Sequence, residues 1–125
     1  MLYAHKLTNQ KKYLEGALGV TDYILGMNAT GFCYVTGFGK NSPLQPHHRA
    51  MASDGVDAPY PGFVVGGPNS DRQDEMSNEP GVSYPNKEPA RAYIDRMAAY
   101  ACNEVAINWN AALVFVLGYL NSVCK

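Results

Sequence analysis

The chain has 125 residues, which suits a single domain with a modest core. Its 10 Lys and Arg nearly balance 11 Asp and Glu and form no basic run, so neither nucleic acid nor an anionic membrane surface is expected as a partner. The longest apolar stretch, Ala111 to Leu117 continuing to Tyr119-Leu120, is far short of the ~20 residues of a membrane span, and Met1 to Lys12 lacks the apolar run of a secretory signal.

The first predicted element runs from Gln10 to Leu25. Leu14, Leu18 and Leu25, with Ala17, Thr21 and Ile24 beside them, follow the three-and-four spacing of an amphipathic helix, and Gly26 suits its end. Gly16 and Gly19 each weaken that helix by about 1 kcal/mol relative to alanine, so its stability must come from packing.

From Met27 to Asn86 no period is sustained, and the stretch holds seven of the eight prolines and eight of the twelve glycines. Loops of this length are uncommon in a compact domain unless they build a site. Phe32, Tyr34, Phe38, Tyr60, Phe63 and Tyr84 set it apart from a disordered linker, so ordered loops on a larger scaffold are expected, with at most a short strand at Tyr34 to Thr36.

After Pro89, the stripe Ala90, Ile94, Met97 and Ala101 predicts a second helix. Ala106, Trp109, Leu113, Val116 and Leu120 predict a third, from Glu104 to Asn121, with Asn103 as its N-cap. The three cysteines, Cys33, Cys102 and Cys124, form no CxxC pair and read as buried thiols.

Two stretches carry candidate chemistry. In Tyr34 to Arg49, His47 and Arg49 stand two residues apart in a Pro-flanked loop. Side chains so spaced on an extended chain point the same way and suit a shared, hydroxyl-bearing ligand; an Arg49 paired with a nearby carboxylate is the plainer alternative. A metal site of His47, His48 and Cys33 is disfavoured, because adjacent histidines rarely serve one ion with good geometry.

In Tyr93 to Ala111, Asp95 and Glu104 would lie about 180° apart on a continuous helix and act together only across a break. As a first-turn residue Glu104 reads as an ionised acid favoured by the helix dipole; as a general acid it would need burial or a like charge such as Asp95. Trp109 is either core or a ring face for a sugar. Asp54-x-x-Asp57 and Asp71-x-x-Asp74 read as solvated turns.

Together these stretches resemble the two motifs of glycoside hydrolase family 9, the inverting β-1,4-glucan hydrolases. Tyr34-Val-Thr-Gly-Phe-Gly-Lys-Asn41 followed by Pro46-His47-His48-Arg49 fits the first; Tyr93, Asp95, Tyr100, Glu104, Asn110 and Ala111 fit the second. Asp22-Tyr-Ile-Leu-Gly-Met-Asn28 and Val65-Gly-Gly-Pro-Asn69 are similar to the family as well.

The resemblance implies an all-α fold: residues 1–125 as the C-terminal section of an (α/α)6 barrel, with the Gly/Pro-rich loops as cleft wall. It implies Glu104 as general acid with Asp95 assisting, and His47, Arg49 and Trp109 as binders of a β-1,4-glucan or cello-oligosaccharide. It implies no cofactor, no metal site in this segment, and an extracellular setting. The family's base lies in an Asp-Ala-Gly-Asp motif that this sequence lacks. Three helices cannot close a barrel, so the exposed faces are expected to meet the remainder of the barrel or another copy. A glucan-binding module without catalysis and a structural remnant are the alternatives.

Overall fold

The computed structural model describes residues 1–124. Helix α1 (Leu2–Thr8) leads into α2 (Lys11–Ile24); three one-turn helices follow, α3 (Arg49–Ser53), α4 (Gln73–Met76) and α5 (Tyr100–Asn103), before the long α6 (Ile107–Val123). The described residues contain no strand. The expectation of one at Tyr34 to Thr36 is met by a single antiparallel bridge between Val35 and Val64.

The α2 helix ends as its sequence dictates. Gly26 adopts φ 119°, its N–H bonds to the Tyr23 carbonyl, and the N–H of Met27 reaches the Asp22 carbonyl, which satisfies carbonyls the helix leaves open. Its buried residues are Ala17 and Thr21, whereas Leu18 and Leu25 are exposed, so the packed stripe is rotated from the leucines that announced it.

The N-terminal residues, for which the sequence suggested no element, form α1. Leu2 packs with Ala17 and Leu120, Tyr3 stacks on Phe115, and His5 is hydrogen-bonded to the Tyr119 hydroxyl, so α1 ties α2 to α6.

The loop region folds around a core of its own. Tyr34, Val35, Val64, Val65, Tyr84, Tyr93 and Cys102 are buried together, with Phe32, Tyr34 and Tyr93 in mutual aromatic contact. Each such side chain taken from water contributes about 1.5–3 kcal/mol, and this offsets the entropy of ordering so long a loop. Backbone groups without a ladder find side-chain partners instead: Thr36, fully buried, donates to the Tyr60 carbonyl and accepts from the N–H of Phe63. No buried side-chain nitrogen or oxygen among the described residues lacks a partner. Gly37 (φ 74°) packs so closely that a Cβ there would stand 2.7 Å from the Pro61 Cβ.

Two sequence expectations are corrected here. The helix after Pro89 is a 3-10 turn, Pro89–Arg91, followed by irregular backbone to Ala99, because core contacts of Ala92, Tyr93 and Ala99 override the local helical spacing. The last helix begins at Ile107 rather than Glu104; its N-cap is Ala106, and Asn103 lies inside α5.

The α6 helix is apolar on all sides. It buries Leu113 and Leu120 yet exposes Ile107, Val114, Phe115 and Leu117. Such a helix belongs in the interior of a larger assembly. Cys33 and Cys102 are buried thiols as expected, while Cys124 is exposed.

Candidate active site

Glu104 sits in extended backbone (φ −68°, ψ 147°) between α5 and α6, held from both sides. On one side it forms a parallel bridge with His47, whose N–H donates to the Asn103 carbonyl at 2.8 Å. On the other, the Gly66 N–H donates to the Glu104 carbonyl at 3.1 Å, and Val65 bridges Val105. The Glu104 side chain is exposed and makes no hydrogen bond or ion pair among the described residues. The helix-dipole reading of Glu104 therefore falls away, since the residue precedes the first turn of α6.

A break in helical backbone does separate Asp95 from Glu104, and Asp95 uses its carboxylate on the chain itself. Its two oxygens accept from the N–H groups of Leu44 (2.8 Å) and Gln45 (3.0 Å), and Oδ1 also accepts from the Asn103 amide at 3.1 Å. Asp95 thus grips the loop that delivers His47. Charge-assisted bonds of this kind are roughly twice as strong as neutral ones.

His47 donates from Nδ1 to the Met97 carbonyl at 2.6 Å, and its ring meets Tyr100 edge-on, with centroids 6.1 Å apart. In the neutral ring the remaining nitrogen, Nε2, is then an acceptor. His48 takes the opposite tautomer, since its Nδ1 accepts from the Met51 N–H as N-cap of α3. Arg49 is the first residue of α3, so the expectation that it parallels His47 along an extended loop is corrected; it is exposed and pairs with no carboxylate among the described residues.

Trp109 lies in the first turn of α6. Its ring edge rests against Gly66, where a Cβ would stand 3.4 Å from it, and it lines a groove of about 440 Å³ with Val20, Ile24, Tyr34 and Val116, between α2 and α6.

The paired aspartates divide. Asp54 remains a solvated turn, with its carboxyl held below the usual range by the Val56 N–H and the Tyr60 hydroxyl. Asp74 is fully buried, contrary to expectation: it accepts from the Tyr84 hydroxyl, the Ala101 N–H and the Glu75 N–H. Burial, reinforced by Cys102 and Asp74, raises the Tyr84 hydroxyl far above its ordinary pKa, so it stays a proton donor.

Several residues that build the site carried no chemical signal of their own. Asn103 read as a cap but is a buried junction, and Asn110 binds the Val64 N–H at 3.0 Å to seat α6 on the loop core. The signal for both was position: Asn103 immediately precedes Glu104, and Asn110 closes the second motif.

The model of glycosyl hydrolase family 9 matches residues 1–117. A xyloglucan-specific endo-β-1,4-glucanase of Bacteroides ovatus is 51% identical over 123 residues, covering 98% of this chain and 20% of the relative. A cellodextrinase of Butyrivibrio fibrisolvens is 40% identical over 115 residues, 91% of this chain and 20% of that protein. The solved structure of a Bacteroides ovatus family 9 protein superposes with a TM-score of 0.84 at 47% identity, covering 99% of this chain and 20% of that one. The chain thus spans about a fifth of the length of the curated relatives it matches, and it has the all-α fold of a C-terminal portion of their (α/α)6 barrel. With the family model matching residues 1–117 and the backbone superposing on family structures over nearly its whole length, the chain belongs to glycosyl hydrolase family 9.

Proposed function

We propose that residues 1–125 form the acid-bearing C-terminal section of a catalytic domain that hydrolyses β-1,4-glucan with inversion, on polymer outside the cell. The observation that carries this reading is the seat of Glu104: backbone fixed by His47 on one side and Gly66 on the other, carboxyl exposed and uncommitted. A general acid needs that freedom, because it must reach the leaving oxygen.

Glu104 protonates the glycosidic oxygen as the bond to the anomeric carbon breaks. A second carboxylate deprotonates the attacking water on the opposite face, with the two carboxyl groups about 6.5–9.5 Å apart. Asp74 cannot be that base, since its oxygens are buried and taken by three donors. The base belongs to the rest of the barrel. So does much of the environment that keeps an acid protonated, because burial or a neighbouring carboxylate raises a carboxyl and Glu104 is exposed here. His47, its Nδ1 engaged with Met97, offers Nε2 to a sugar hydroxyl; Arg49 supplies free donors, and Trp109 a ring face. The names of the Bacteroides and Butyrivibrio relatives share only the β-1,4-glucan backbone, so the backbone is the substrate class proposed.

The barrel also supplies the partner for α6 and for the groove beside Trp109. The test uses a complete catalytic domain with this chain as its C-terminal segment, the remainder coming from its parent gene or from the Bacteroides ovatus relative. Glu104→Gln lowers hydrolysis of a soluble β-1,4-glucan by about 10²–10⁴-fold with unchanged melting. Undiminished turnover overturns the assignment. The isolated chain releases no reducing sugar; cello-oligosaccharide binding by it at full affinity would favour a non-catalytic binding module instead.

A further inference from the structure

The residue before the proposed acid is buried more completely than any role in capping requires. Asn103 is fully buried, and its amide joins three segments: Nδ2 donates to the Gln45 carbonyl at 2.7 Å, to Asp95 Oδ1 at 3.1 Å and to the Arg96 carbonyl at 3.3 Å, while Oδ1 accepts from the Tyr93 hydroxyl at 2.7 Å. Three acceptors on one side and a hydroxyl donor on the other fix which way the amide faces. The backbone of the same residue completes the junction, since its carbonyl accepts the His47 N–H.

Accepting the reading of Glu104 given above, we propose that Asn103 is a positioning residue that sets the acid in register with His47. The side chain holds the 44–45 turn and the 95–96 turn; the main chain holds His47; the next peptide carries Glu104. A shift at Asn103 is therefore passed directly to both substrate-facing groups. Tyr93 orients the amide from behind, and burial together with the Asp95 charge keeps the Tyr93 hydroxyl protonated as a donor. Asp95 is the third member of this lock, anchoring the same turn through Leu44 and Gln45.

The experiment compares two substrates in the complete domain: an aryl β-cellobioside with a poor leaving group, which needs a proton on the departing oxygen, and a dinitrophenyl β-cellobioside, which departs without one. Glu104→Gln is the reference; it loses turnover on the first and keeps it on the second. Asn103→Ala is expected to lower kcat by up to about 10²-fold on the poor leaving group, with KM within roughly twofold and turnover of the dinitrophenyl substrate largely retained, since misplacement by an ångström is sufficient for such a loss. Tyr93→Phe keeps the ring packing and removes only the bond to Oδ1, so it shows the same pattern at smaller amplitude, severalfold rather than 10²-fold. If Glu104→Gln behaves as an acid variant while folded Tyr93→Phe and Asn103→Ala lose turnover equally on both substrates, or on neither, the positioning role is overturned. If Glu104→Gln itself shows no leaving-group dependence, the assignment of the acid fails instead, which separates the two results.

Discussion

His47 and Glu104, which belong to two separate motifs of the chain, lie side by side through a parallel backbone bridge, with the His47 N–H on the Asn103 carbonyl. The bridge is one pair long, so it has no ladder to support it. Its geometry rests on the side chains of Asp95 and Asn103 on the His47 side and on the main-chain N–H of Gly66 on the other.

Asp95 should therefore matter more for structure than an auxiliary catalytic carboxylate would. In the complete domain, Asp95→Ala removes the charged acceptor of the Leu44 and Gln45 N–H groups and of the Asn103 amide, at a cost of about 3 kcal/mol in stability. Chemical denaturation measures this. A variant as stable as the parent but inactive would mean that Asp95 acts on substrate directly.

The apolar faces of α6 give a prediction for the isolated chain. Val114 is 72% exposed and Phe115 45%, the first lining a shallow cleft with Phe63 and Ile107 and the second one with Tyr3 and Val116. Val114→Lys with Phe115→Glu should reduce self-association of the 125-residue chain in sedimentation experiments and prevent the complete domain from folding, because the same face meets the rest of the barrel there. Equal association before and after the change would place the sticky surface elsewhere.

Alkaline pH offers an independent probe of the loop core. Burial raises the Tyr34 hydroxyl from 10.0 to about 12, against a smaller opposing effect of its hydrogen bond with Thr30. Tyr84 and Tyr93 are raised in the same direction, mainly by burial. The folded state thus holds these protons more tightly than the unfolded chain, so their contribution is intact below 10.0 and stability falls as pH climbs from there towards about 12. Tyrosinate absorbance should rise in two phases, the later one coinciding with loss of the circular dichroism signal. A single phase with the fold intact would contradict the burial of these rings.

Not all of the fold was legible in the chain. The α2 helix and its glycine stop could be read because spacing and a local C-cap are properties of neighbouring residues. The helix expected after Pro89 failed because residues outside its stripe are the ones that pack: Ala92, Tyr93 and Ala99 are buried without helical backbone, whereas Met97 of the stripe is exposed. The α1 helix was missed because its reason for forming is distant, in Ala17, Phe115, Tyr119 and Leu120.

By itself the sequence determined the family, the all-α class, the ordered Gly/Pro-rich loops and the two motifs, since these depend on residue types at fixed spacings. Only the tertiary structure decided what the motif residues touch. Asn103 became a buried junction rather than a cap, Asp95 a clamp on the 44–45 turn, Asp74 a buried acceptor and Trp109 the edge of an apolar groove. The hydrogen bonds of Asn103 to Gln45 and of Asp95 to Leu44 join segments 58 and 51 residues apart. Their partners are set by packing, which no local pattern of residues encodes.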